Sequence, residues 1–358
     1  MTLAASGLPP PSRDWKEKAL DGEPELFRDF ARDIVGYQKE DADKNEDADK
    51  KGPFRGFHAK IHAGLIAEFQ VLADLPEHAR YGVFAVPRTF PALVRFSNGD
   101  SHINRDRKHE PRGIAIKLIG VEGRKLLPGH EDDVTQDFLV TSHSVTSAVT
   151  DVTQFMAFVK AQRPGTIGLF PRLWRALGWN EATRISAALF RTVILSKVRS
   201  MATEHFSGTA PIQCGPYAVK FTVRPAEGTV ATTAHSSRDK DFLRKELADR
   251  LRKADLIMDF LVQFYVDCDR TPIENTSVPW RPEDTPLRKV AQLRIPRCDL
   301  DDPQSRELSE KIDTLSFSPW HATEDHKPLG NVMRARRVAY EASAALRGQR
   351  PEPTAIPI

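Results

Sequence analysis

Two batches of short β-rich segments, split by a helical stretch, constrain this chain more than any other feature. GLIAEFQVL (64–72), YGVFAV (81–86), ALVRFSN (92–98), RGIAIKLIGV (112–121) and QDFLVT (136–141) come first, each bounded by turn residues. YAVKFTVRP (217–225), GTVATTAHS (228–236), LIMDFLVQFYVDC (256–268) and VAQLRIPRC (290–298) form the second batch. Residues 151–205 between them predict helices, as DVTQFMAFVKAQ, TIGLFPRLWRALG and EATRISAALFRTVILSKVRSMA. RDKDFLRKELADRLRKA (238–254) predicts a further amphipathic helix. The pattern is α+β, with antiparallel strands in two batches and helical insertions. So many short strands leave many unpaired edges, and closure into a β-barrel removes them.

Residues 1–50 are polar and proline-punctuated, apart from one amphipathic patch, ELFRDFARDIVGY (25–37). KEDADKNEDADKK (39–51) reads as a solvated connector. Its DADKNEDADK resembles a calcium loop only on the surface. An EF-hand needs glycine at the sixth position and glutamate at the twelfth; counted from Asp41, those positions hold Glu46 and Gly52. The expected organisation is an N-terminal arm (1–51), a core (52–347) and a tail (348–358).

The 40% hydrophobic and 28% charged residues match a folded chain, and the net charge of +3 gives no support to bulk nucleic-acid binding. Cys214, Cys268 and Cys298 are far apart with no CxxC pair, which argues for reduced thiols in the cytoplasm and against a disulfide framework or thiolate zinc site. No secretory signal and no uninterrupted span of about twenty apolar residues is visible, so stable membrane insertion is not expected.

MRARRVAYEASAALR (333–347) predicts a helix on which Arg336, Tyr340 and Arg347 form one stripe. One reading is a solvated basic face with a packed tyrosine ring. The other is a tyrosinate ligand to ferric haem. A free phenol has a pKa of about 10, so ionising it at pH 7 costs roughly 4 kcal/mol. Iron supplies much of this, and an arginine one turn away, hydrogen-bonded to the phenolate, supplies more.

FRGFHAKIHAG (54–64) offers His58 as an acid–base residue, with His62 as competitor and Arg55 as a carboxylate partner. In ALVRFSNGD (92–100), Arg95 and Ser97 share one strand face. Arg95 could meet a second carboxylate. The Ser97 hydroxyl could bond the rear nitrogen of the imidazole and fix its tautomer.

RxxH, VRFS, RGIAIKL and RxxxY, in this order, resemble the haem catalase family. Glu110-Pro111-Arg112-Gly113 resembles that family's DPRG, TPLRKVAQLRIPR (285–297) its post-barrel segment, and LSFSPWHATEDHKPLGNVMRARRVAY (315–340) the run into its proximal tyrosine. The resemblance covers roughly residues 52–347. It implies a catalase-type antiparallel β-barrel with a C-terminal proximal helix. It implies haem, read as haem b with its iron, ligated by Tyr340 with Arg336 as partner. The distal pair falls on His58 and Ser97, and the propionate arginines on Arg55, Arg95 and Arg347. HAKIHAGLIAEF carries one residue more than the family's HAxGAGAFG, so His58 and His62 compete for the distal place, with the RxxH spacing favouring His58. The family's distal asparagine is missing from GHEDDVTQ (129–136), and aromatic cover is missing from SHSVTSAVT (142–150).

The expected function is a haem-dependent peroxidase or catalase acting on hydrogen peroxide or organic hydroperoxides, with an organic electron donor as the partner of a peroxidase. One alternative is rearrangement of fatty-acid hydroperoxides, as in the catalase-related allene oxide synthases. For it, the apolar helices LFPRLWRALGW (169–179) and ISAALFRTVIL (185–195) would border a lipid site. Another is non-enzymatic haem binding. A nucleic-acid role for the Arg334–Arg337 cluster ranks last, no dinucleotide fingerprint is present, and a homo-oligomer is compatible with the sequence.

Overall fold

The computed structural model describes residues 9–44, 55–142, 148–163, 167–190, 198–208, 210–232, 235–236, 238–348 and 350–357. Helix α1 (Glu23–Lys44) precedes the strands β1 (Ile61–Val71), β2 (Thr89–Asn98), β3 (Arg112–Ile119) and β4 (Thr135–Thr141). Three helices follow: α2 (Val152–Gln162), α3 (Leu169–Leu177) and α4 (Trp179–Leu189). The second batch is β5 (Phe206–Ser207), β6 (Ile212–Cys214), β7 (Tyr217–Pro225), helix α5 (Phe242–Lys253), β8 (Leu256–Phe264) and β9 (Arg288–Ile295). Helices α6 (Pro303–Thr314) and α7 (Asn331–Leu346) complete the order.

The sheet runs β5-β4-β3-β2-β1-β9-β8-β7-β6, and a β5–β7 pairing closes eight of these strands into an antiparallel barrel. Period-two patterning explains why the strands face as they do. In β1, Leu65, Ala67, Phe69 and Val71 are buried while Glu68 and Gln70 are exposed. In β8, Leu256, Met258, Phe260, Val262 and Phe264 are buried. The interior is filled by aromatic rings: Phe138 lies 5.1 Å from Phe260 and 5.5 Å from Phe221, and Phe69 lies 5.2 Å from Phe260. A small barrel packed this way is a core and not a channel.

Several expectations need correction. YGVFAV is not a strand; Gly82–Phe84 forms a 3-10 turn that drives Phe84 against Phe138 and Phe260. Gly82 has φ +55°, and a Cβ there would come within 2.3 Å of His326 Nε2, so only glycine fits this turn. GTVATTAHS contributes no strand among its described residues. β7 pairs directly with β8, which leaves 226–255 as an excursion outside the sheet, and Val230 is 73% exposed. β8 stops at Phe264, short of Cys268, and residues 198–205 are not helical. The connector reading fails at its start: α1 continues to Lys44, and Asp41 is buried, accepting two hydrogen bonds of 2.7 Å from Arg163 Nη1. Residues 45–51 of that run, and 52–54 beyond it, lie outside the described residues.

The N-terminal segment is fastened to the far end of the fold. Phe27, Phe30 and Ile34 of α1 pack with Ala335 and Ala339 of α7 and with Val152 and Met156 of α2. Arg334 is ion-paired to Glu17 (2.6 Å), Glu23 (2.7 Å) and Glu274 (3.1 Å), so it is a matched structural cation and not part of a free basic patch.

Candidate functional site

On α7, Arg336 Nη2 donates to Tyr340 Oη at 2.6 Å, and the guanidinium lies 4.9 Å from the ring centroid. The spacing of four puts both on one helix face. At this distance the phenol oxygen accepts a charge-assisted hydrogen bond. Met333 supports the guanidinium through a 3.6 Å contact from Nη1 to its sulfur.

On the barrel side, His58 Nδ1 and Ser97 Oγ are 3.0 Å apart. Arg95, two residues before Ser97, donates from Nη2 to the His58 carbonyl at 2.9 Å. One strand face therefore holds both the ring and the backbone of His58. The backbone there is unusual: among the described residues, His58 is the single non-glycine with positive φ, at 59°. Sparsely populated conformations of this kind persist where the surroundings over-determine them, and they cluster at functional sites. Burial and the charges of Arg95, Arg336 and Arg55 push His58 down to about 3, so its imidazole is neutral at ordinary pH and does not titrate near neutrality. His58 is therefore within electrostatic reach of Arg336 on α7.

His62 belongs elsewhere. Its Nε2 is 2.7 Å from Asn98 Oδ1, and its Nδ1 is 4.0 Å from Asp106, whose carboxylate also takes Lys60 at 2.6 Å. It is a buried core histidine in a polar cluster.

Three further arginines converge. Arg55 Nη2 donates to the carbonyls of Asp313 (2.9 Å) and Leu315 (2.5 Å). Arg95 is bound to the Asp313 carboxylate, with Nε 3.0 Å and Nη2 2.9 Å from Oδ1. Arg347 feels the charges of Arg95 and Asp313, and burial lowers it to about 10; burial and the cations Arg95 and Arg347 lower Arg55 well below its usual range. Arg95 thus binds the Asp313 carboxylate and Arg55 the carbonyl of the same residue. Arg55 Nε and Arg347 Nε are buried without a hydrogen-bond partner. Buried donors left unpaired are costly, and two added carboxylates would satisfy both the charge and the donors. The donor set therefore fits a dicarboxylate cofactor such as haem, with Tyr340 as an anionic oxygen ligand.

Two contributors escaped the sequence reading of roles. Asp313 sits on α6, a helix not read from the sequence, although Asp302 capping Gln304 and Ser305, with Pro303 at the first position, is a standard start signal. Gly113, paired with Ser97, leaves the space that the His58 ring fills. Arg112, from the same EPRG run, is buried and binds the carbonyls of Asp106 and Lys108, which is a structural task. Residues 143–147 of the segment lacking aromatic cover lie outside the described residues.

The barrel is that of a catalase. No protein-family model matches the sequence. The fold, however, is similar to catalase A from Saccharomyces cerevisiae (TM-score 0.64, 16% identity, 95% of this chain and 68% of that one). It is also similar to a fungal catalase (TM-score 0.65, 16% identity, 97% of this chain and 67% of that one) and a bacterial catalase (TM-score 0.62, 16% identity, 97% and 64%). The chain thus spans about two thirds of the length of these catalases. In sequence it is 30% identical over 275 residues to a catalase-related peroxidase of Mycolicibacterium paratuberculosis, covering 72% of this chain and 78% of that relative. The chain belongs to the catalase superfamily.

Proposed function

We propose that this protein is a haem-dependent peroxidase that reduces hydroperoxides, organic ones included. Tyr340 would hold the haem iron through its phenol oxygen, and His58 would move the peroxide proton. The observation that carries the reading is the pair of hydrogen-bonded couples, Arg336 on Tyr340 at 2.6 Å and Ser97 on His58 at 3.0 Å, together with the converging Arg55, Arg95 and Asp313. Haem bound there would supply the redox chemistry that breaks a peroxide O–O bond. The remaining work falls to side chains. Arg336 stabilises the deprotonated oxygen of Tyr340. Arg55, Arg95 and Arg347 would hold the two propionates. With Nδ1–H donating to Ser97 Oγ, the Nε2 lone pair of neutral His58 is available to take a proton from the peroxide. Because burial and nearby cations disfavour imidazolium, the proton would pass on quickly to the departing oxygen.

An organic, lipid-borne hydroperoxide is favoured by the surface of α3 and α4. Ile167 is 93% exposed, and Trp174, Trp179 and Phe190 are also exposed. Phe170 and Trp174 meet Trp179 edge to face at 5.2 and 5.8 Å. An aromatic face of this kind suits a lipid interface. If no external donor is used, the same site would instead rearrange the fatty-acid hydroperoxide.

The test uses haem-loaded protein mixed with hydrogen peroxide or cumene hydroperoxide, with and without a phenolic donor. Donor-dependent conversion of hydroperoxide to alcohol supports the proposal. Donor-independent rearrangement of a polyunsaturated hydroperoxide selects the second reading. An unchanged haem spectrum in Tyr340→Phe, or no haem spectral response to either peroxide, overturns both.

A further inference from the structure

A second group of chemistry-bearing side chains lies in the connection between β3 and β4 and in the segment that leads into α7. His130 Nδ1 and Asp133 Oδ2 are 2.6 Å apart within that connection. The ring of His321 stands edge to face against His130, with centroids 5.0 Å apart. One ligand atom from each of His130, Asp133 and His321 can be chosen so that all lie within 4.8 Å of one another.

His321 is the informative member. It is 1% exposed, and its Nε2 is buried with no hydrogen-bond partner. Its Nδ1 faces two carboxylates, Asp137 Oδ2 at 3.2 Å and Glu352 Oε1 at 3.4 Å. Those carboxylates are fixed in turn, since Lys117 Nζ is 2.7 Å from Asp137 and 2.5 Å from Glu352. Thr135 Oγ1 and the Ser318 amide each donate a further 2.9 Å bond, to Glu352 and Asp137 respectively. Carboxylates behind Nδ1 select the Nδ1–H tautomer, which places the lone pair on the orphaned Nε2. This is the outer arrangement that orients a metal-binding histidine.

The charge balance points the same way. Three carboxylates (Asp133, Asp137, Glu352) stand against two ammoniums, Lys117 and Lys125, the latter within electrostatic reach of Asp133. A cation would neutralise the excess. Two imidazoles and one carboxylate form a borderline donor set, suited to zinc and its first-row neighbours, with water completing the shell.

We infer that His130, Asp133 and His321 form a binding site for one divalent transition-metal ion, with Zn2+ the simplest occupant. The ion would staple the β3–β4 connection to the 316–321 segment. That segment follows Leu315, whose carbonyl holds Arg55, and leads on to α7. Bonds of roughly 2.0–2.2 Å set the donors about 3–3.5 Å from one another, so the 2.6 Å His130–Asp133 contact would open slightly while the wider separations close.

The test is calorimetric titration of the full-length, haem-loaded protein with ZnCl2 in chelator-treated buffer, with zinc-edge X-ray absorption of the 1:1 complex. The expected result is one Zn2+ per chain with two imidazole ligands. His130→Gln and Asp133→Asn should each weaken binding by more than about 100-fold. Glu352→Gln, which alters only the carboxylate behind His321, should weaken it by about 10–100-fold. His235→Gln, at the separate His235–Asp249 pair, should bind as wild type does. Absence of saturable 1:1 binding in the wild type overturns the assignment. So does wild-type affinity in both His130→Gln and Asp133→Asn. These two positions are half-buried, and circular dichroism of each variant checks that it folds. Neither substitution touches the proposed haem residues, so failure here leaves the peroxidase reading standing.

Discussion

The imidazole of His58 occupies the space that any side chain at position 113 would need. A Cβ on Gly113 would come within 2.5 Å of both Cε1 and Nδ1 of His58 and within 3.1 Å of Ser97 Oγ. Gly113→Ala should therefore push the ring off Ser97. The rate of peroxide cleavage should fall about 10²–10⁴-fold, the range that general acid–base catalysis supplies, while haem loading and the resting spectrum stay as in wild type. Stopped-flow absorbance beside His58→Ala checks this; wild-type rates in Gly113→Ala would remove His58 from the chemistry.

Arg336 is expected to secure Tyr340 as an oxygen ligand, because it donates the 2.6 Å hydrogen bond to Oη. Haem-loaded Arg336→Leu should lose haem to an apo-globin acceptor about 10-fold faster than wild type, the lower end of what removing such a supporting partner costs. Arg336→Lys, which keeps the charge and loses the fork, should fall between the two. Absorbance of the acceptor reads the transfer directly.

Asp313 binds Arg95 of the arginine cluster through its carboxylate. Asp313→Ala leaves Arg95 buried without its partner, and breaking a buried ion pair in this way costs about 3–5 kcal/mol. The haem-free variant should melt well below the haem-free wild type. Two propionates would then take over the neutralising role, so haem should raise the Tm of the variant more than that of the wild type. Calorimetry of all four samples tests this, and an equal haem-induced rise in both would argue against propionates at the cluster.

Buried histidines predict acid sensitivity. Burial lowers His58 to about 3 and both His62 and His326 to about 4, from 6.5 in the unfolded chain. Between pH 6.5 and about 4 the unfolded state binds protons that the folded state refuses, so stability is full above pH 6.5 and falls as pH drops through this window. Each histidine contributes up to about 1.4 kcal/mol per pH unit. Urea midpoints from pH 7.5 to 4.5 should fall steadily. His326→Gln, although less stable at pH 7, should show a shallower slope.

What the sequence disclosed follows from how each signal is made. Leu65, Ala67, Phe69 and Val71 alternate in the chain, so β1 was readable before any partner was known. Arg95 and Ser97 lie two apart on a strand, Arg336 and Tyr340 four apart on a helix, and both pairings are local geometry. Val83 and Phe84 are consecutive buried residues in a tight turn, and a short apolar run does not distinguish that from a strand. Asp313 meets Arg95 only after α6 has packed beside β1 and β2, so no local pattern could link them. His321 belonged to a matched segment, but its orphaned nitrogen exists only once Asp137 and Glu352 have closed in behind it.

Barrel closure was inferred from the number of edges, yet it rests on very little chain. β5 is two residues long, and the seam consists of Thr141 opposite Ser207, Phe206 opposite Val223 and Ser207 opposite Thr222. The cylinder is thus a broad ribbon buttoned along the width of a dipeptide, with the fully buried Phe206 as the stud. Its cheapest fluctuation is to unbutton there while the long β1–β2 and β8–β9 ladders stay intact. Amide protons at the seam should exchange with solvent well before those of β1. A swelling barrel would then part beside Ser142, at the edge of the His58 face, giving the protein a built-in place to breathe.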